Sequence, residues 1–301
     1  MNYRHHFHAG NFADAVKHVL LLGLLESFTR KDTPFCYIDT HAGCGLYDLG
    51  ASAAQRTLEF KTGLARIKAA SQENIPGWIQ HYQKAVTELQ AERHGFFYPG
   101  SPWLALNAMR PQDRALLMEL HPEDAGTLKK YLSRHSNVSI HARDAYEGLT
   151  ALIPPKEKRG LVLIDPPYEE ERDDYAPVVV LLQKAYTKWP TGTYALWFPI
   201  KDYHAITRFY RRLRNTGIPK ILTTELCVLP PDNQLGLNGT GMIIVNPPWK
   251  FSDTAYTTLK WLHPVLTEHP QSSIKVEWLS GEAAPEPKKT ASEKFNDKFA
   301  E

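Results

Sequence analysis

The chain has 301 residues, 43% hydrophobic and 23% charged, enough to bury one large core or two modest ones and too apolar for a disordered or fibrous protein. Its 35 Lys and Arg nearly balance 33 Asp and Glu, for a formal charge of +2, so any affinity for nucleic acid must come from a local basic patch. Cys36, Cys44 and Cys227 are too few for a disulfide framework and lack the paired short spacing of a zinc site, which points to a reducing, cytoplasmic setting. The longest aliphatic run, residues 19–25, is about a third of the ~20 residues a membrane span needs, and its charged flanks do not suit a signal peptide.

Tyr3-Arg4-His5-His6-Phe7-His8 is cationic or aromatic throughout and reads as an exposed arm. Asn11 has the side chain of an N-cap for a helix over residues 12–30, with Ala13, Val16, Leu20 and Leu24 on an apolar stripe. Residues 34–39 form a strand that runs into the glycine turn His41-Ala42-Gly43-Cys44-Gly45. Residues 53–93 read as helix, interrupted only around residues 74–76.

From residue 115 strands and helices alternate. Strands at 115–118, 137–141, 161–164 and 194–198 are separated by helices at 122–134, 146–152 and 175–188, and a further helix follows at 203–215. Such alternation means crossover connections and a mainly parallel sheet with helices on both faces. Strands at 220–229 and 241–245 follow without a helix between them and should pair as an antiparallel hairpin. The expected architecture is a Rossmann-like α/β fold with a seven-stranded sheet. It divides into an arm (1–11), a catalytic-type domain (12–52 and 98–279), a helical insertion (53–97) and a disordered tail (280–301), where large apolar residues are almost absent.

In open parallel sheets, ligands gather at the carboxyl ends of the strands, and four predicted strands end in polar residues. In the first, Gly43 and Gly45 let the backbone approach a nucleoside, although a ligand-free tight turn explains them equally well. Glu119 follows the second, placed to accept hydrogen bonds from ribose hydroxyls, as nicotinamide enzymes and methyltransferases both arrange. Asp144 follows the third, as an acceptor for an adenine amine or simply as a helix cap.

The fourth, Asp165-Pro166-Pro167-Tyr168, is the most specific. Two prolines take the chain out of the sheet as a rigid elbow. An aromatic amine such as adenine N6 is a poor nucleophile. Asp165 and a backbone carbonyl of the elbow, accepting its two N–H bonds, would expose the lone pair to an electrophilic methyl, and the carboxylate can take the released proton. Tyr168 offers a face for an extruded base. A second such stretch, Asn246-Pro247-Pro248-Trp249, sits on the closing hairpin at the opposite edge, and its amide cannot accept a proton; it is assigned to structure.

These strand ends resemble those of the adenosylmethionine-dependent amino-methyltransferases. Five separated segments narrow the likeness: residues 3–11 with Asp14, Lys17 and His18; Asp39 through Gly45; Tyr98-Pro99-Gly100-Ser101-Pro102; Glu119 through Pro122; and residues 160–168. Together they look like the RlmJ family of bacterial 23S ribosomal RNA adenine-N6 methyltransferases over roughly residues 2–280. The resemblance implies a class I methyltransferase fold, S-adenosyl-L-methionine as cofactor, no metal and no membrane, and 23S rRNA, naked or in early assembly, as partner. It also implies cofactor contacts from His18, His41, Ser101, Glu119, Asp144, Ala145 and Asp165, with Asp165 as proton acceptor. Tyr3, Pro166 and Tyr168 would meet the substrate, and the arm would fold over it as a gate. Ala145 stands where the family usually has glycine, and Cys44 replaces a small residue. On the residues alone, His41 suits a turn and Ser101 a helix cap before Pro102.

Other readings are a non-catalytic RNA-binding ribosome-assembly factor and a methyltransferase of guanine N2 or DNA adenine. A nicotinamide dehydrogenase leaves Asp165-Pro166-Pro167-Tyr168 unexplained. Arg56, Lys61, Arg66, Lys68 and Lys84 of the insertion suit RNA docking or, more blandly, a solvated face.

Overall fold

The computed structural model describes residues 5–132, 134–168, 175–230, 233, 236–267 and 269–281. Tyr3 and residues 282–301, which include most of the expected disordered tail, lie outside the described residues.

Short apolar runs become the central strands β1 (Cys36–Asp39), β4 (Arg114–Met118), β5 (Val138–His141), β6 (Gly160–Ile164) and β7 (Thr193–Ile200). They lie parallel in the order β7-β6-β1-β4-β5. Beyond β7 the sheet turns antiparallel through β9 (Gly239–Val245), β8 (Ile221–Cys227) and β10 (Ser273–Ser280). The sheet therefore has eight strands, one more than expected. The extra one, β10, alternates apolar with polar or charged residues on an exposed edge, so it lacks the continuous apolar run that marks the buried strands.

Layers of helix cover both faces. Helix α1 (Phe12–Thr29) starts at Asn11, whose side chain accepts from the Asp14 amide, and it is buried nearly all round rather than along a single stripe. Its outer side is covered by α4 (Gly77–Arg93) and α5 (Ser101–Ala108), which share one core with it. Gly23 makes the α1–α4 packing possible, because a Cβ there would lie 2.4 Å from the Trp78 ring. The other face carries α7 (Ala145–Leu152), α8 (Tyr175–Lys188) and α9 (Tyr203–Asn215), packed in a second core. Helix α6 (Pro122–Leu132) joins β4 to β5, and α10 (Phe251–Leu266) carries the chain from β9 to β10.

The stretch expected as one helix broken only around residues 74–76 has that break and two more. It holds α2 (Ser52–Thr57), a 3-10 turn at Glu59–Lys61 and α3 (Leu64–Ala69) before α4. Leu58 adopts a left-handed conformation at φ 53°, and Gly63 lies so close to Gly10 and Asn11 that a Cβ would meet the Asn11 carbonyl oxygen at 2.3 Å. The small strands β2 (Leu46–Asp48) and β3 (Phe97–Pro99) pair antiparallel, Tyr47 opposite Tyr98, and tie together the two ends of this excursion.

The described part of the arm is held down rather than exposed. His5–Phe7 forms a 3-10 turn, with His8 Nδ1 2.9 Å from Glu59 Oε1 and the Thr57 hydroxyl donating to the Phe7 carbonyl at 2.6 Å. All three cysteines are buried and free. Among the described residues no helix is long and apolar enough to cross a membrane.

Candidate active site

Because β5, β4, β1, β6 and β7 are parallel, their carboxyl ends share one edge, and Asp144, Glu119, Asp39 and Asp165 stand along it. Asn246 does not join them. It follows β9, which runs antiparallel to β7 with Val245 beside Tyr194, at the far edge, and its amide donates to the carbonyls of Pro190 and Gly192, both at 2.8 Å.

Asp165 follows Ile164, whose register partner on β7 is Leu196, so the next residues on each strand, Asp165 and Trp197, are level. The elbow is pinned by Tyr168, whose hydroxyl donates to the Trp197 carbonyl at 2.7 Å. The Tyr168 ring packs against Tyr175 and meets Trp197 edge-on, at centroid distances of 5.4 and 5.6 Å. Trp197 is half-buried, and its indole N–H donates to Thr240 Oγ1 at 2.8 Å.

Asp165 Oδ2 receives Lys17 Nζ at 2.6 Å, and the same ammonium lies 2.8 Å from Asp14 Oδ1 and 5.7 Å from the Trp197 ring centre. Helical spacing puts Asp14, Lys17 and His18 on one side of α1. Burial alone would lower the Lys17 pKa, but the carboxylates of Asp14 and Asp165 outweigh it and hold the ammonium charged. Burial would likewise raise Asp14, yet His18, Lys17 and His5 around it keep its carboxyl well below the usual range. His5 Nε2 and the Gly10 amide reach its other oxygen at 3.2 and 3.0 Å.

His18 is 1% exposed, and its Nδ1 shares a 2.9 Å hydrogen bond with the Tyr98 hydroxyl, itself 3.2 Å from that of Tyr82. Burial depresses the His18 pKa to about 3, so the ring is neutral.

A second cluster surrounds Asp39. Tyr37 and Ser101 hydroxyls both donate to Oδ2 at 2.7 Å, and the His41 amide donates to Oδ1 at 3.3 Å. Burial pushes the Asp39 carboxyl up to about 6 against these donors. Ser101 is therefore not the helix cap: Gly100 occupies that position, and the serine is the buried first residue of α5. His41 Nδ1 lies 2.7 Å from the Thr40 hydroxyl, and the imidazole is pushed down to about 4 by burial, against the pull of Asp165 and Asp144.

Glu119 accepts the Gly43 amide on Oε2 at 2.8 Å and the His121 amide on Oε1 at 2.7 Å, which aims both oxygens and leaves lone pairs for two further donors. Burial raises its pKa. Asp144 caps α7 through Oδ1 alone, taking the Tyr146 and Glu147 amides at 2.7 and 3.2 Å. The cap therefore leaves Oδ2 available to an outside donor. Ala145 is the buried first residue of α7.

The glycines of the turn answer to the protein's own packing. Gly43 and Gly45 sit at φ 59° and 80°, and a Cβ on them would meet the Tyr47 hydroxyl at 2.4 Å and a Leu128 methyl at 2.9 Å.

The structure thus brings His41, Glu119, Asp144, Ala145 and Asp165 to one edge and places His18 and Ser101 behind it as supports. Sequence reasoning quoted Lys17, Asp14, Asp39 and Tyr98 within motifs but gave them no role, and it overlooked Tyr37 and Trp197. The signal for Lys17 was a cation, three residues after an acid, in an otherwise aliphatic helix.

A family model described as ribosomal RNA large subunit methyltransferase D, RlmJ, matches residues 32–280. The ribosomal RNA large subunit methyltransferase J of Escherichia coli (strain K12) is 41% identical over 279 residues, spanning 93% of this chain and 99% of the relative. The protein of the same name from Haemophilus influenzae is 40% identical over 283 residues, spanning 94% and 100%. A crystal structure of a protein from Legionella pneumophila matches with a TM-score of 0.81 at 35% identity, over 90% of this chain and 98% of that one. With a family model covering most of its length and relatives aligned over nearly their whole length, the chain belongs to the RlmJ family of ribosomal RNA large subunit methyltransferases, built on a class I methyltransferase fold.

Proposed function

We propose that the chain transfers a methyl group from S-adenosyl-L-methionine to the N6 amine of an adenine in 23S rRNA, with Asp165 orienting the amine and accepting its proton. The observation that carries the reading is the Asp165 elbow, rigid on both sides: Lys17 holds Oδ2, and Tyr168 ties the turn to β7.

The donor set suits the cofactor. Glu119 presents two aimed oxygens to a pair of vicinal hydroxyls, Asp144 presents Oδ2 to an adenine amine, and His41 stands between Asp144 and Asp165 in electrostatic reach of both. His18 and Ser101 support this wall through Tyr98 and Asp39. When bound, S-adenosyl-L-methionine supplies an electrophilic methyl on a sulfonium, a leaving group that needs no acid.

The protein then has three tasks: to place the amine, exclude water and receive a proton. Lys17 occupies Oδ2 of Asp165, so Oδ1 is the oxygen offered to one N–H of the base, and the backbone carbonyl of Pro166 is offered to the other. Held so, the nitrogen lone pair would be freed from the ring to attack an electrophile. Once methylated, the amine nitrogen would be cationic and its proton strongly acidic. A carboxylate already paired with an ammonium is therefore basic enough to receive it. Trp197 and Tyr168 form the aromatic wall beside the amine site. Tyr3, in the arm, is assigned to the substrate RNA.

The test is mass mapping of modified nucleosides in 23S rRNA from cells lacking the protein, before and after incubation with purified protein and methyl-labelled cofactor. Label in N6-methyladenosine at one position is the expected result. Label in N2-methylguanosine, or none in RNA and some in DNA, would replace the substrate assignment.

A further inference from the structure

We infer that the exposed face of α9 is a docking surface for RNA phosphates flanking the target nucleotide. The inference rests on the reading of ribosomal RNA as substrate.

Residues 201–220 contain six Lys or Arg and a single acidic residue, Asp202, in a chain whose 301 residues sum to only +2. The insertion, residues 53–97, has six Lys or Arg against four Glu, and several of its cations are already engaged. Arg66 donates to the Leu266 carbonyl, Lys68 to Gln90, and Lys84 lies 3.7 Å from Glu88. On α9 the situation differs. Asp202 is spent as the N-cap, and Arg208 and Arg211 are exposed and form no ion pair among the described residues. With His204 they follow one another at helical spacing, so they project from one side.

The opposite side of α9 is taken up by the core: Ile206, Phe209, Tyr210 and Leu213 are all buried. A membrane-surface helix needs that apolar face free, so the helix presents to a partner its arginines, small polar groups and the rings of His204 and Tyr203, the latter 56% exposed. A polyanion with stackable bases meets that description, and guanidinium groups pair well with phosphate.

Placement connects this surface to the reaction. β7 is parallel to β6, so Ile200 ends at the same edge as Asp165, and α9 begins three residues later. Tyr203 and His204 therefore stand at the rim of the crevice, and Arg208 and Arg211 run away from it along a path of roughly 12 Å, at 1.5 Å of rise per residue. An RNA strand whose target base enters the crevice can lay its flanking phosphates on that path.

The experiment compares the full-length protein with its Arg208→Glu/Arg211→Glu variant, using unmodified full-length 23S rRNA over a salt series. We expect the KM for RNA to rise about tenfold or more with kcat and cofactor affinity unchanged, and the salt dependence of binding to become shallower by about 1.5 in log–log slope, as for two lost phosphate contacts. Arg208→Lys/Arg211→Lys should restore most of the affinity, and Arg208→Gln/Arg211→Gln repeats the test with a milder change should the charge reversal disturb folding. An unchanged KM and salt slope in both charge-removing variants would overturn the inference. So would loss of binding to anionic phospholipid vesicles with RNA binding intact. Failure of the unaltered protein to methylate the RNA would instead overturn the substrate reading.

Discussion

The Lys17 ammonium lies 2.6 Å from Asp165 Oδ2 and 2.8 Å from Asp14 Oδ1, joining a helix near the start of the chain to an elbow 148 residues later. The three groups form an acid–base–acid triplet, with Asp14 and Lys17 buried and Asp165 partly so, in which one cation serves two carboxylates. Removing the cation leaves both uncompensated, whereas removing either acid leaves Lys17 with the other.

Lys17→Met should therefore be the most damaging substitution in the triplet. We expect a loss of about 3–5 kcal/mol in stability, the cost of breaking a buried pair, together with a fall in kcat of a hundredfold or more as Asp165 loses its fixed orientation. Asp14→Asn should cost less on both counts, because Asp165 still neutralises Lys17. Urea unfolding and single-turnover methylation of the three proteins measure the order.

Glu119→Gln should weaken cofactor binding roughly 10- to 100-fold, the worth of hydrogen bonds to a charged acceptor, while leaving the affinity for RNA unchanged. Isothermal calorimetry with S-adenosyl-L-methionine reads the first and filter binding the second. Equal loss in both would show that Glu119 serves the fold rather than the nucleoside.

Acid should begin to destabilise the protein once pH falls below the ordinary histidine value. His18 and His41 have native pKa values near 3 and 4, below the ordinary 6.5, so between those values the native state binds fewer protons than the unfolded chain. Their contribution is complete above about pH 6.5 and is lost as pH falls through the native values. Asp39, raised from 3.8 to about 6, acts with the opposite sign: its contribution is present at low pH and is lost as pH rises through that window. Two imidazoles outweigh one carboxyl, so stability measured by urea midpoint should fall steadily from pH 6.5 to 4.5. His41→Gln, which leaves one imidazole against one carboxyl, should remove most of that slope.

That Glu119, Asp144 and Asp165 share one edge was legible because each comes at or within three residues of the end of a short strand, and crossover-length segments separate them. The decoy at Asn246 was separable for the same reason, since a hairpin strand must end at the opposite edge. The pairing of Lys17 with Asp165 was not legible, because nothing in a pattern of helical spacing says which distant strand end a buried cation will meet. Strand β10 escaped notice because alternation on an exposed edge produces no apolar run. For Gly43 and Gly45 the sequence left a ligand and a plain tight turn equally open, and packing supplies an internal constraint, the Tyr47 hydroxyl and Leu128 pressing against the turn. Ser101 looked like a cap because it precedes proline, yet the turn places Gly100 there and frees the serine for Asp39.

The measurement that bears most directly on the account is methyl transfer to 23S rRNA by Asp165→Asn, which keeps the elbow's shape and removes its charge and proton acceptor. The account predicts that cofactor and RNA still bind and that the protein still folds, with single-turnover methylation of adenine N6 reduced by a factor of a thousand or more. Methylation at the rate of the unaltered protein would contradict it.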